Sequence, residues 1–516
     1  MQIIVALFFA IILTWLLYKC NLYKKLRFKP IQFCLLFVLK LVFGVFFYLV
    51  YTVYYTDSQT SDMHKYYNDA VKIFDLTKSK PLSYLSILSG IEMNEQDEAI
   101  TQQLNFWYQE ESASVINDSR MVIRFNLMMM PFSRGNIYIH LVMMVFLSFI
   151  GLSLLYLSLE KYFEQKEFWL LISCFGLPSV MFWSSGIMKE GILIFFLGIF
   201  IYALFDSKMF SFKSFLLFFL SLAGMFFAKF YVALSFIPSI LFLVVCHYRK
   251  TKTPISNLII SLVLVIIIGI GFNSFMDNLP LEKLSKKQND FINLSLGGVY
   301  LRNITVPFDT IFTLNKSSIR MLEAHHQIVE GKIVQLKDGS IYHHWKNPGY
   351  ADTLISQNNQ SSYKILKILQ PTGSAITLKR LMPNYKSIIY LFPEAFVNVF
   401  FRPFIFDVEN MFSLLACIEN TIIVFLILVL FFIYKNPNKE NFKLILFSIL
   451  FVFTLYSLVG LTTPVLGAAV RYKVPALPFL MISIFLFYDY KRLGASFKKY
   501  LAIAPIKKVS NTNSKL

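Results

Sequence analysis

Apolar residues in this chain come in long, nearly unbroken runs. The three-to-four-residue spacing of a helix on a soluble core is largely missing. Runs at 2–18, 31–55, 136–159, 168–183, 190–206, 215–229, 231–246, 255–276, 411–434, 444–461 and 474–488 approach the ~20 residues that a helix needs to cross a bilayer. The pattern predicts an all-α polytopic membrane protein with about 11 transmembrane helices. The intervals 168–206 and 215–246 hold closely spaced pairs that suit shorter, tilted or re-entrant helices. Two long polar stretches, 56–135 and 277–410, separate the runs. Structureless loops of that length are uncommon, so both are expected to contain helices lying on the membrane surface. Asp69 to Leu76 and Ser387 to Phe401 have the mixed composition of such helices.

The chain thus divides into an N-terminal two-helix segment (1–55), a first loop (56–135), a central bundle (136–276), a large loop (277–410), a C-terminal bundle (411–490) and a basic tail (491–516). Val509 onward, rich in Ser and Asn, reads as disordered.

Charge fixes the expected orientation. Lys19, Lys24, Lys25, Arg27 and Lys29 follow the first run; Arg249, Lys250 and Lys252 follow the seventh. Lys435, Lys439 and Lys443 follow the ninth, and Lys491, Arg492, Lys498 and Lys499 the last. With an odd number of spans, all four clusters fall on one side, which the positive-inside rule makes the cytoplasm. The N-terminus and both long loops are then outside, as expected for a multi-pass protein of a bacterial cytoplasmic (inner) membrane. Met1 to Tyr18 lacks a basic leader and a small-residue cleavage site, so it reads as a retained helix.

Composition sharpens this picture. Of 516 residues, 56% are hydrophobic and only 15% charged, against about a quarter charged in soluble domains. The net charge of +19 follows from the basic loops and gives no reason to invoke nucleic acid. The five cysteines lie in or beside apolar runs, which excludes a disulfide framework or a Cys-x-x-Cys metal site. No phosphate-binding loop, dinucleotide fingerprint, zinc-protease or nucleophile-elbow motif occurs.

Candidate chemistry gathers where runs meet the outer side. Asp57 and Asp62 follow the second run, with His64, Tyr66 and Tyr67 just beyond. A carboxylate there can act as a general base on a sugar hydroxyl, or hold a divalent cation beside a phosphate. The two stand roughly 140° apart on a helix, so they do not share a face. Asp62 is the favoured catalytic residue, because it opens a helical segment; an N-cap or solvated loop acid is the plain alternative. Lys189-Glu190 lies between two apolar runs, where ionisable residues are costly. Lys189 suits a phosphate and Glu190 would hold it; a salt bridge ending a helix is the alternative. Arg402 and Arg471 stand on the outer side, where positive-inside bias does not place them. Each can grip a phosphate bidentately or simply contact lipid headgroups. Asp407 and Glu409 accompany Arg402. The pairs His325-His326 and His343-His344 lack the spacing of a metal site.

These residues fall in short motifs: Asp62 with Tyr66 and Tyr67, W-S-S-G-x-x-K-E at 183–190, R-P-F-x-F-D-x-E-N at 402–410, and R-Y-x-x-P-x-x-P at 471–478. Together they resemble bacterial polytopic proteins of surface-glycan assembly. The nearest are membrane glycosyltransferases of the C-type fold, which use polyprenyl-phosphate-linked sugars. O-antigen and exopolysaccharide polymerases are similar in layout. In this chain the acid follows the second span and not the first, and no Asp-Glu pair accompanies it. The resemblance implies transfer of a sugar from a polyprenyl-phosphate or -diphosphate donor on the outer face of the membrane. Asp62, with Asp57, would orient or deprotonate the acceptor. Lys189, Arg402 and Arg471 would bind the phosphate, with Glu190, Asp407 and Glu409 in support. Tyr66, Tyr67 and His64 would contact sugar. The implied partners are a polyprenyl-linked sugar or oligosaccharide and membrane lipid, with no nucleic acid. No motif demands a cofactor; a divalent cation is the one candidate. A flippase or transporter of lipid-linked glycans is the alternative of another class. It would use ionisable residues inside the spans, Lys40 and Lys229 foremost.

Overall fold

The structure, a computed structural model, describes residues 1–20, 22–26, 28–54, 61–104, 106–107, 119–205, 211–250, 253–296, 372–490 and 492, with the backbones of six strands between 298 and 369. Asp57, the His325-His326 pair and the tail beyond 492 lie outside them.

Among the described residues, eight helices are long and apolar enough to cross a membrane: Gln2–Lys19, Pro30–Tyr54, Ile137–Tyr162, Phe212–Ser235, Pro254–Phe275, Met411–Ile433, Lys439–Thr462 and Leu466–Leu486. The chain is therefore a multi-pass helical membrane protein. The expected run 168–183 is two short helices, Glu167–Phe175 and Pro178–Trp183, broken at Gly176-Leu177. Pro178 explains the break: it has no N–H to give and restricts the residue before it. The runs at 215–229 and 231–246 meet at Lys229, whose φ of −155° interrupts the Phe212–Ser235 helix; Ile237–Tyr248 follows. The last run is likewise jointed, from Leu466–Tyr472 through a 3-10 turn to Leu477–Leu486.

The core is built where the Ile137–Leu159 and Lys189–Phe205 helices cross. A Cβ on Gly198 would stand 1.9 Å from the Gly151 carbonyl oxygen, and one on Gly151 2.3 Å from that of Ile194. Only glycine permits this approach, the small-residue contact by which helices pack where no hydrophobic effect drives them together. The outer helices instead present bare apolar faces. Ile259, Ile266, Ile267 and Ile270 of Pro254–Phe275 are exposed, as are Phe425, Phe431 and Phe432 of Met411–Ile433. In a bilayer these faces meet hydrocarbon.

The described part of the first loop holds the helices Asp62–Leu76, Pro81–Ser89, Glu95–Thr101 and Ser119–Ser133. The second holds the helices Leu279–Leu296 and Tyr385–Phe401 and, between them, a feature the interfacial-helix expectation lacked. Six antiparallel strands, β1 (Gly298–Asn303), β2 (Ile311–Leu314), β3 (Ile333–Gln335), β4 (Ile341–Asn347), β5 (Tyr350–Ile355) and β6 (Ser362–Leu369), form one sheet in the order β3-β6-β1-β2-β4-β5. Arg302, His343 and His344 are on its strands.

Polar contacts separate the two ends of the bundle. At one end Lys161 Nζ reaches the Phe205 carbonyl (3.0 Å), Asn441 that of Tyr162 (3.5 Å), and Lys439 that of Lys250 (3.1 Å). The basic loops after Ile237–Tyr248 and Met411–Ile433 thus gather there. The other end takes the first turn of Lys189–Phe205, the Lys229 kink, Asp62–Leu76 and Leu466–Tyr472.

Candidate functional site

Arg471 is the hinge of that second end. It sits in the short helix Leu466–Tyr472, which follows Thr463-Pro464-Val465. A pair of strand-like contacts fixes this approach: Leu466 N–H donates to the Ser374 carbonyl (2.9 Å) and Ile376 N–H to that of Pro464 (2.6 Å). The large loop thereby holds the arginine's own backbone.

Its guanidinium lies between two carboxylates. The Nε donates to Glu190 Oε1 and one terminal nitrogen to Glu190 Oε2 at 3.2 Å. The other terminal nitrogen donates to Asp62 Oδ2 at 3.1 Å. This is the fork geometry that makes arginine specific for carboxylate and phosphate. Lys229 Nζ reaches the same Glu190 Oε1 at 2.6 Å. Four charges from four distant segments therefore form one chain: Asp62, Arg471, Glu190, Lys229.

Local structure explains each arrival. Asp62 is the first residue of Asp62–Leu76, whose buried positions Met63, Tyr66, Ala70 and Ile73 recur at helical spacing. Ser61 takes the N-cap position, and the Asp62 carboxylate in the first turn reaches Arg471. Glu190 lies in the first turn of Lys189–Phe205, where the helix dipole favours an anion. The W-S-S-G turn before it is compact because a Cβ on Gly186 would meet the Phe47 ring at 2.3 Å. Lys229 breaks its own helix at the point where its ammonium enters the cluster.

Aromatic faces line the cations. Arg471 lies 5.7 Å from the Trp183 ring centroid, Lys229 4.3 Å from that of Tyr472, and Lys189 5.6 Å from that of Tyr66. Such contacts favour a cation over a desolvated ring. With Lys189 beside it, the group has three cations and two carboxylates, a net charge of one positive.

Exposure grades along the chain. The Glu190 side chain is 1% exposed and that of Asp62 41%. Surrounding protein atoms push the Asp62 carboxyl up, but Arg471, Lys189 and Lys65 more than offset this and hold it below its ordinary range. Asp62 is thus ionised throughout neutral pH. Partial burial pushes His64 down, and its Nδ1 is buried without a hydrogen bond.

The remaining expected site residues are placed apart from the cluster. Tyr67 donates its hydroxyl to the Gly135 carbonyl (2.6 Å) and packs its ring edge-on to His140. Arg402 pairs loosely with Asp407 (3.8 Å), whose Oδ2 accepts the Phe404 N–H at 2.8 Å. No described contact joins Arg402 to Arg471. Behind Arg471, however, opens a cavity of about 360 Å³ whose wall includes Asp407, Glu409, Glu419, Trp183 and Arg471 itself. Among the described residues no three His, Cys, Asp or Glu side chains are grouped to hold a metal ion. The five cysteines are free.

Sequence reasoning did not pair Lys229 with Glu190 and passed over Glu419 and Lys473. Lys473 Nζ donates to the carbonyls of Val399 and Arg402 (both 3.3 Å) and to Asn420 Oδ1 (3.1 Å). It closes the C-terminal end of Tyr385–Phe401, where a cation opposes the helix dipole. Lys40, fully buried, donates to Ser184 Oγ (2.6 Å) and Ser185 Oγ (3.1 Å) at the end of Pro178–Trp183. Their signal was an ionisable residue inside or beside an apolar run.

No known protein family matches this chain, and no curated protein or solved structure matches it either.

Proposed function

We propose that this chain is an integral membrane glycosyltransferase, moving a sugar from a polyprenyl-phosphate or -diphosphate donor in surface-glycan assembly on the outer face of a bacterial cytoplasmic membrane. The observation that carries the reading is the convergence of Asp62, Arg471, Glu190 and Lys229 at one bundle end beside a cavity. In this reading the kinked and jointed segments also cross, giving about 11 passes. The gathered basic loops are cytoplasmic and the N-terminus is outside.

The reaction is displacement at sugar C1. The acceptor hydroxyl oxygen bonds to C1 as the bond from C1 to the phosphate oxygen breaks. The electron pair leaves with the phosphate, and the hydroxyl proton passes to Asp62. A carboxylate held ionised is a weak base, but the hydroxyl becomes acidic as its oxygen bonds to carbon. The surplus positive charge, from Lys189 and Arg471, stabilises the leaving phosphate. Glu190 and Lys229 hold Arg471 in place. A polymerase runs the same step with a lipid-linked glycan as acceptor.

A buried Lys229–Glu190 pair inside the bundle favours one second reading, a flippase for lipid-linked glycans, since intramembrane ion pairs mark transport paths. Reconstituted vesicles separate the two. With a lipid-linked sugar donor and acceptor, Asp62→Asn should slow transfer by about 100-fold or more, and Arg471→Ala should abolish it. Unchanged transfer in both variants would sink the enzymatic reading. Movement of the lipid-linked glycan across the bilayer without transfer would establish the flippase.

A further inference from the structure

The cavity behind Arg471 has a mixed wall that the charged cluster does not explain. Part of it is aromatic. Phe46 and Phe182 meet at 5.6 Å between ring centroids, and Phe412 lies 6.5 Å from Phe182. The wall also carries acids: Asp407, Glu409 and Glu419. Glu419 is 8% exposed and uses Oε2 to accept the Ser179 N–H at 2.7 Å.

We propose that this cavity seats one sugar residue that carries no acidic group. The inference rests on the glycosyl-transfer reading only for how that sugar is attached. Three ligand classes compete for the space. An anionic phosphate is disfavoured inside the cavity, because Asp407, Glu409 and Glu419 line it and repel an anion. A hydrocarbon chain would desolvate carboxylates whose few protein donors leave acceptor capacity unused. A sugar ring satisfies both parts of the wall. Its hydroxyls donate to the carboxylates, and its C–H face lies on the aromatic rings. A carboxylate on the ring would add like charge beside the buried Glu419. The volume, about 360 Å³, is near the lower limit for small-molecule pockets, roughly 300–1,000 Å³, which suits a single residue and not an oligosaccharide.

Saturation-transfer NMR on the full chain in lipid nanodiscs tests this with free N-acetylglucosamine, glucosamine, glucuronic acid and inorganic diphosphate as probes. The first two should bind, and glucuronic acid and diphosphate should bind at least about tenfold more weakly. Glu419→Gln should narrow that gap severalfold. Glu409→Gln, at an exposed position, should do the same. Glucuronic acid binding as well as the neutral sugar would overturn the proposal. So would absence of binding by both non-acidic sugars, or an unchanged gap in both variants. The two readings fail separately. Selective sugar binding in a protein that transfers nothing would remove the enzyme and keep the cavity. Asp62-dependent transfer with no discrimination against acidic sugars would do the reverse.

Discussion

Two buried polar networks stand at the same end of this bundle, and they are built on opposite principles. One is ionic: Asp62, Arg471, Glu190 and Lys229. The other is neutral: His140 places one ring nitrogen 2.8 Å from Asn126 Oδ1 and the other 2.7 Å from Ser133 Oγ. His140 and Asn126 are both 0% exposed. The neutral network ties Ser119–Ser133 to Ile137–Leu159, with each side-chain atom given a partner and no opening. It is a joint. The ionic network runs from a buried carboxylate to a half-exposed one, keeps a surplus cation and borders a cavity. Bundles pay for buried charge, and a neutral chain makes the same connection at lower cost. Charge where a neutral joint would hold is the mark of a site.

Four measurements can break or sharpen that contrast. The largest effect is expected from Glu190→Ala. It strands Arg471 and Lys229 without their shared carboxylate and should cost about 3–5 kcal/mol, read as a large drop in the thermal unfolding midpoint in nanodiscs. His140→Ala should cost about 1–2 kcal/mol, with transfer intact in the protein that remains folded. A His140→Ala loss equal to that of Glu190→Ala, or a loss of transfer at full folding, would erase the distinction. Asp62→Asn should change stability by less than about 1 kcal/mol, since the exposed end of the chain is screened by water, even as transfer collapses. A large destabilisation would make Asp62 another structural partner.

The smallest effect is in the pH dependence. Asp62 is held below its ordinary range, so its contribution to stability is fully present above about pH 4, the usual value for aspartate. It is lost only as pH falls through its depressed folded value. Unfolding midpoints of the native protein and Asp62→Asn should therefore run parallel from pH 8 to about 5 and converge in stronger acid. Convergence already between pH 8 and 5 would contradict the paired geometry.

Much of the site was legible in the sequence, first because a charge in or beside an apolar run is expensive and so stands out. Glu190 was singled out on that ground, Asp62 as an acid that follows the second run and opens a helix, and Arg471 as a cation against the positive-inside bias; the fold brings the three into contact. Lys229 was noticed too, but a lone lysine near a run's end also reads as snorkelling. Only its meeting with Glu190, 39 residues away, decides between the two. Arg402 had the same sequence signature as Arg471 and lies elsewhere, because the outer side of a span holds positions for headgroup contact and for packing alike. Tyr66 and Tyr67, expected to contact sugar, face Lys189 and the Gly135 carbonyl respectively, contacts that no periodicity in the sequence records. Hydropathy found the long spans and blurred the jointed ones. A helix broken by Pro178 or Lys229 is as apolar as a straight one, and composition carries no record of the break. The sheet between 298 and 369 went unread because its strands are short and interleaved with polar residues.

The bare crossing of Gly151 and Gly198 has no polar side chain, yet it sets the accuracy of the ionic site. Glu190 precedes Gly198 by eight residues, or roughly 12 Å along the axis. The helix is a rigid lever with its fulcrum at that contact. A methyl group wedged into the fulcrum would force the two helices apart, and the usual N–H···O distance spans only about half an ångström. Alignment of the carboxylate with Arg471 thus leans on side-chain atoms that are missing two turns away.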